Sequence, residues 1–347
     1  MNSNKYDEYD LWFSDNAGNR IRELSEAAEK PGAAREIYHS SIMPGWKRNI
    51  DFYLRVQENL EKNQVKICGI RDGDYPFRLK EIYDPPYILY YKGRLPDNSS
   101  RMSAVVGSRK ATAYGRKMAF EIGKILGGHG VTVVSGMALG ADSSAHRGCL
   151  EAEGITAAVL GSGVDICTPS SNYRLMKEIT ESGGGVLSEF VPGTPGYPYN
   201  YPRRNRIISG MSENVIVIEA DEKSGTSVTA NMALEQGRDV FALPGNINSV
   251  MSRGTNRLIK EGAVPLISVE NILEEMNIPF RGRKKSVSGL SGTERKVLGY
   301  IENTGITDMD ELCMEFGKNS YEIAGIVTVL EIKGFILKSE GKITVAK

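Results

Sequence analysis

The feature that most constrains this chain is a series of short β-branched runs between residues 101 and 280, nearly every one closed by glycine, serine or an acid and followed by a helix-like stretch. "SAVVG", "VTVVSG", "TAAVLG", "GVLSEF", "NVIVIEA", "DVFALPG" and "AVPLIS" are continuously apolar rather than alternating, so both faces of each strand must be covered. Covered strands alternating with helices predict a parallel α/β sheet. In such a sheet the ligand crevice lies at the carboxyl ends of the strands, so function is to be sought in the loops that follow the runs.

The flanks read differently. Residues 1–65 predict a helical N-terminal domain: "RIRELSEAAEK", "AAREIYHSSI" and "KRNIDFYLRVQENLEKN" space their apolar residues near 3.6 and break at Pro31-Gly32 and Pro44-Gly45. Trp12, Trp46, Phe52 and Tyr53 are assigned to its core rather than to base stacking. In "GDYPFRLKEIYDPPYILYYKGRL" the prolines forbid a long helix, and this lead-in segment joins the core domain, 66–280. A basic linker, 281–290, precedes a winged-helix-like domain, 291–347. There Ser291 and Glu294 suit a capping box, Thr307 suits an N-cap, Gly334 ends the third helix, and "FILKSEGKITVA" suits a hairpin. The third helix offers Tyr321, Glu322, Thr328, Glu331 and Lys333, which suits partner docking or packing better than reading base edges.

Composition narrows the function classes. A length of 347 residues predicts two or three units. Lys+Arg and Asp+Glu balance at 43 each, so any polyanion site must be a local patch. No stretch approaches a membrane span and the polar start MNSNKYDEYD is unlike a secretory signal, so no membrane is expected and the location expected is cytoplasmic. Cys68, Cys149, Cys167 and Cys313 are scattered without metal-ligand spacing, so the expectation is reduced thiols, no metal and no cofactor.

The loops supply the chemistry. In "VVGSRKATAYG", Gly107 and Ser108 with Arg109 and Lys110 predict a phosphate cradle that fits neither the ATPase nor the dinucleotide fingerprint. In "SGMALGADSSAH", Gly136 lets a ligand approach backbone. Asp142 and His146 stand at helical spacing there, but no nucleophile elbow accompanies them, and a Ser-His-Asp set is rejected. "YPRRNRIISG" puts Arg203, Arg204, Asn205 and Arg206 behind Pro202, which fits a helix's first turn. Cations at that positive end imply a bound anion, and the segment is expected to converge with Arg109 in one positive pocket. Ser224, Gly225 and Thr226 precede another helix whose amides suit a phosphate or ribose, beside an acidic mouth of Glu219, Asp221 and Glu222.

These blocks, with "VLGSGVDICTPSSNYRL", "GGVLSEF", "GTSVTANMALEQGRDVFALPGN" and "GTNRLIKEGA", resemble in order those of the DNA-processing protein A family, DprA/Smf, over about residues 65–280. The resemblance implies an extended Rossmann-like fold that binds single-stranded DNA without sequence preference. It also implies protection of the strand, homodimers and assistance in loading RecA recombinase during natural transformation, with no catalysis. It assigns pocket roles to Gly107, Ser108, Arg109 and to Arg203, Arg204, Asn205 and Arg206. The chain departs from the family at "CTPSSNYRL", where Ser170 and Ser171 stand in place of a basic residue. Two alternatives remain. One is a LOG-like nucleotide phosphoribohydrolase, similar in its "SGTSVT" turn, although Thr229 stands where those enzymes carry a catalytic glutamate. The other is a transcription regulator acting through the winged helix.

Overall fold

All the runs quoted above become strands of one nine-stranded sheet. A computed structural model describes residues 5–18, 24, 30–40, 45–222, 225–279, 289–339 and 341–345. The chain divides into two compact units, Met1–Pro279 and Phe280–Lys347.

In the first unit three helices come first: α1 (Glu8–Ala17), α2 (Ala33–His39) and α3 (Ile50–Lys62). Then follow β1 (Lys66–Gly69), a single turn α4 (Phe77–Lys80) and β2 (Ile88–Gly93). The alternating core runs β3 (Met102–Val106), α5 (Ala113–Gly128), β4 (Thr132–Ser135), α6 (Ala141–Glu151), β5 (Thr156–Val159), α7 (Tyr173–Glu181) and β6 (Gly185–Ser188). It continues through α8 (Asn200–Met211), β7 (Asn214–Val217), α9 (Gly225–Glu235), β8 (Asp239–Ala242), α10 (Arg253–Lys260), β9 (Val264–Pro265) and α11 (Asn271–Glu275). The strand order is β1-β2-β6-β5-β4-β3-β7-β8-β9. Pairing is parallel from β6 to β9, while β2 joins β6 and β1 joins β2 antiparallel.

Successive side chains of a strand leave opposite faces, and both faces here are dry. Ala104, Val106, Val215 and Val217 enter the cluster that holds Ile207 and Ile208 of α8 together with Leu11, Trp12 and Phe13 of α1. Val105, Ile216 and Phe241 enter the opposite cluster with Ile122 and Leu126 of α5 and Ala145 and Cys149 of α6. The N-terminal helices thus share the core of the sheet. Trp12 and Tyr53 are buried, Trp46 packs edge-on against Trp12 and Phe13, and Phe52 is exposed.

Two things in this region were not legible in the sequence. Helix α1 buries Asp10, Leu11, Trp12, Phe13 and Ser14, a nearly all-round pattern with no 3.6-residue stripe, and its start is fixed by a capping box between Asp7 and Asp10. Strands β1 and β2 extend the parallel core by two antiparallel strands, too short or too proline-flanked to announce themselves. Most of "RIRELSEAAEK" lies outside the described residues.

Helices α5 and α6 touch backbone to backbone. A Cβ at Gly123 would enter the Ala145 carbonyl oxygen, and one at Gly148 would enter that of Phe120. This close fit holds the loops before both helices in fixed relation.

The second unit contains α12 (Gly292–Thr304), β10 (Ile306–Asp308), α13 (Met309–Phe316), α14 (Ser320–Ile332), β11 (Ile336–Ser339) and β12 (Lys342–Val345), with strands ordered β10-β12-β11. The Ser291–Glu294 capping box forms. Asp308, not Thr307, caps α13, because the Thr307 hydroxyl bonds the Glu311 carboxylate instead.

Gly148→Ala is expected to destabilise the first unit by about 1–3 kcal/mol through overpacking, read as a lower urea midpoint. An unchanged midpoint would show that the two helices separate without cost.

Candidate functional site

The strand order reverses at β3, whose neighbours are β4 on one side and β7 on the other, so the crevice opens at the carboxyl ends of these strands. The loop after β3 is tied down on both flanks: the Ser108 N–H donates to the Glu219 carbonyl (2.8 Å) and the Ala141 N–H to the Ser108 carbonyl (3.4 Å). Gly140, at φ +83°, is required here, since a Cβ would lie 2.8 Å from the Arg109 carbonyl oxygen. Ser108 Oγ accepts the Lys110 N–H within the loop (3.1 Å). Arg109 and Lys110 are exposed at the rim.

Helix α8 begins at Asn200, two residues before Pro202, with Tyr199 as N-cap. This corrects the sequence reading. Pro202 still falls in the first turn, but the arginines occupy the second, and their fate is decided by the groups they face rather than by the helix terminus. Asn200 donates to the Gly161 carbonyl (3.0 Å), and the Tyr201 ring lies against Gly161, where a Cβ would be 2.7 Å from it.

The three arginines then diverge. Arg204 is 4% exposed and donates to the Gly136 carbonyl (2.9 Å) and to that of Val159. Burial lowers its pKa to about 10 against the pull of the nearby Asp142, and Arg109 lowers it further. Its guanidinium lies 5.9 Å from the centre of the Tyr201 ring, over which that of Arg109 lies at 4.7 Å. Arg109 and Arg204 do converge, one on the rim and one beneath it. Arg206 turns away. At 3% exposure it pairs with Asp84 (2.9 Å) and forks onto both oxygens of Glu189 (2.8 Å each). Arg203 shares that carboxylate (3.0 Å) and lies over Phe190. The expectation that Arg206 meets an anionic guest is therefore corrected: its charge is met inside the fold.

Asn205 accepts from Arg204 Nε (3.1 Å) and donates to the Gly225 carbonyl (3.4 Å), joining α8 to the start of α9. Thr226 is buried, and Ser224 lies outside the described residues. Glu219, in the acidic mouth, is buried and accepts both the N–H and the hydroxyl of Thr112 (2.7 Å each), at the N-cap of α5. Thr229 donates to the Gly225 carbonyl (3.2 Å). Ser170 and Ser171 form an exposed turn, while Asn172 beside them donates inward to the Met137 carbonyl (2.7 Å). Among the described residues no carboxylate pairs with Arg109 or Lys110.

His146 belongs to the core. Thr156 Oγ1 donates to the Val133 carbonyl (2.7 Å), so it accepts from His146 Nδ1–H (2.7 Å), which fixes the tautomer. Burial, then the charges of Arg204 and Arg147, bring its pKa down to about 3.

The sequence reading missed two rim residues. Tyr197 and Tyr199 stack on each other, centroids 5.4 Å apart at 8°, and are 44% and 70% exposed. "GYPYNYP" carried the signal: tyrosines among helix breakers, just ahead of a basic helix, have no periodic face to bury.

A family model described as DNA recombination-mediator protein A matches residues 66–277. The chain is 45% identical to Protein Smf of Escherichia coli over 275 residues, 77% of this chain and 74% of that one. It is 42% identical to DNA processing protein DprA of Streptococcus pneumoniae over 209 residues, 60% of this chain and 73% of that one. The X-ray structure of the Streptococcus pneumoniae protein aligns with a TM-score of 0.64 at 35% identity, over 78% of this chain and 98% of that one. A Helicobacter pylori DNA processing protein A, solved for its single-stranded DNA binding mode, aligns at 0.55 and 27% identity, over 62% of this chain and 96% of that one.

Two outcomes are expected. Arg206→Ala leaves the buried Glu189 with Arg203 alone and strips half-buried Asp84 of its cation, and should cost about 3 kcal/mol of stability, read by urea unfolding; a cost under about 1 kcal/mol would contradict the pairing. His146 is neutral when folded, so only the unfolded chain takes up its proton below the ordinary pKa of 6.5, down to about 3. Wild type should therefore lose about 2 kcal/mol more than His146→Asn between pH 7.5 and pH 5; equal losses would place this residue in water.

Proposed function

The chain belongs to the DNA recombination-mediator protein A family, and from that premise we propose that it binds single-stranded DNA without sequence preference across the rim of this crevice. The observation that carries the reading is the pair of exposed cations, Arg109 and Lys110, without carboxylate partners, beside a helix start that presents the stacked tyrosines 197 and 199. Cations grip phosphates and release counterions, and aromatic faces accept any base. That combination suits a flexible strand whose bases are unpaired.

Arg203, Arg204, Asn205 and Arg206 act on the strand indirectly in this reading. They hold α8 against the strand ends and so set where Tyr197, Tyr199 and Tyr201 stand. Gly107, Ser108 and Gly136 shape the crevice floor, and Gly225 and Thr226 border it. The protein carries out no chemistry on the strand: the position of the phosphoribohydrolase glutamate holds Thr229, engaged with backbone, and Glu219 is committed to the N-cap of α5. Protection of the strand, a homodimer in solution, a cytoplasmic site of action and delivery of the strand to the RecA recombinase complete the proposal.

Fluorescence anisotropy with a thymidine oligomer and a hairpin duplex, at two salt concentrations, tests it. Wild type is expected to prefer the single strand. Arg109→Ala should weaken binding and reduce the slope of log K against log[salt] by about 0.7. Tyr199→Ala should weaken it by about 1–3 kcal/mol with the slope unchanged. Equal affinity for duplex, or indifference to Arg109→Ala, would overturn the reading.

A further inference from the structure

The floor of the crevice is built like a phosphate site and is already full. Helix α6 points its N-terminus at the ends of β3 and β4, and its second residue is Asp142, buried. The Ala138 N–H donates to Asp142 Oδ2 (3.4 Å); burial raises this carboxyl above its ordinary range, and Arg204 and then the amides of Ala138, Gly107 and Gly136 act in the opposite direction. Arg204, equally buried, brings its positive charge to it. A Cβ on Gly136 would stand 2.7 Å from both Asp142 Oδ2 and Arg204 Nη2, so carboxylate and guanidinium flank a residue that has no room for a side chain. Backbone amides from two crossover loops, a helix N-terminus and a buried guanidinium around one anion are the elements of a phosphate cradle. The anion here is part of the chain.

We propose that Asp142 is the specificity-determining residue of this site, an internal stand-in for phosphate that closes the cradle to free phosphate and mononucleotides and leaves polynucleotide to the rim cations. The inference rests on the single-stranded DNA reading for its biological meaning. Its physical content, that a carboxylate occupies a cradle able to hold phosphate, stands apart from it. A phosphate monoester seated in the floor would offer one deep contact per molecule and would make the site compete with every nucleotide in the cell. With the floor filled, affinity comes only from many shallow contacts along a chain, which a mononucleotide lacks. Asp142 also supplies the negative charge that Arg204 would otherwise seek from a guest.

The test compares wild type with Asp142→Ala and Asp142→Ser in chloride and in inorganic phosphate at equal ionic strength, following the melting temperature, and repeats it with thymidine monophosphate. Wild type should melt at the same temperature in both salts, whereas the variants should rise by several degrees in phosphate and bind it at least tenfold more tightly by calorimetry. A variant unfolded in chloride is scored by recovery of its folded circular dichroism in phosphate. Thymidine monophosphate should displace a labelled thymidine oligomer from the variants and not from wild type. Folded variants indifferent to phosphate, unfolded variants that phosphate does not restore, or wild type binding phosphate as tightly as the variants would each overturn the assignment. Wild type failing to bind the oligomer in chloride would instead overturn the single-strand reading and leave the phosphate comparison intact.

Discussion

A helix with three arginines can lie across the strand ends of a parallel sheet only if the sheet meets their charge, and here it does so with carboxylates placed at those ends. Glu189 follows β6 and takes Arg206 and Arg203, with Asp84 closing the other side of Arg206. Asp142, just inside α6, balances Arg204. Unpaired, any of these groups would carry a desolvation cost of several kcal/mol. Paired, they fix the height and rotation of α8, and with it the position of everything the helix start presents to solvent.

That arrangement separates the site into two layers. Below, charge is met inside the fold: Asp142 and Arg204 influence each other in the floor, Glu189 pairs with arginines under α8, and Glu219 is bonded at the cap of α5. Above, Arg109 and Lys110 remain without carboxylates, and the tyrosines stand exposed. The formal balance of 43 basic and 43 acidic residues agrees with this local solution. The proposed binding face, assembled from a few rim groups, needs no overall positive field, and its contacts to exposed charge would weaken with salt. The glycines between α5 and α6 serve the same end, since helices in backbone contact cannot shift the loops that precede them.

Much of this was legible in the residues. Seven apolar runs announced seven parallel strands because continuous burial on both faces leaves an unbroken apolar word in the sequence. Gly107, Ser108, Arg109 and Lys110 were placed at the crevice because a loop after a strand can go nowhere else. The arginine segment was located correctly and interpreted wrongly in part. From the sequence, Arg204 and Arg206 are equivalent basic residues near a helix start. In the fold Arg206 pairs with Glu189, 17 positions away, and Arg204 lies within the electrostatic reach of Asp142, 62 positions away, and no local pattern records either proximity. Nor does any local pattern record that the Asp142 carboxylate lies buried beneath the β3 and β4 loops.

The sequence alone determined the class of fold, the order of strands along the chain and the turns where a ligand site must lie, because burial periodicity and turn chemistry are properties of neighbours. Tertiary structure alone decided which cations are free. Whether a guanidinium binds a guest or a carboxylate of its own chain depends on what the sheet order brings within 3 Å of it, and that proximity joins residues the sequence keeps far apart.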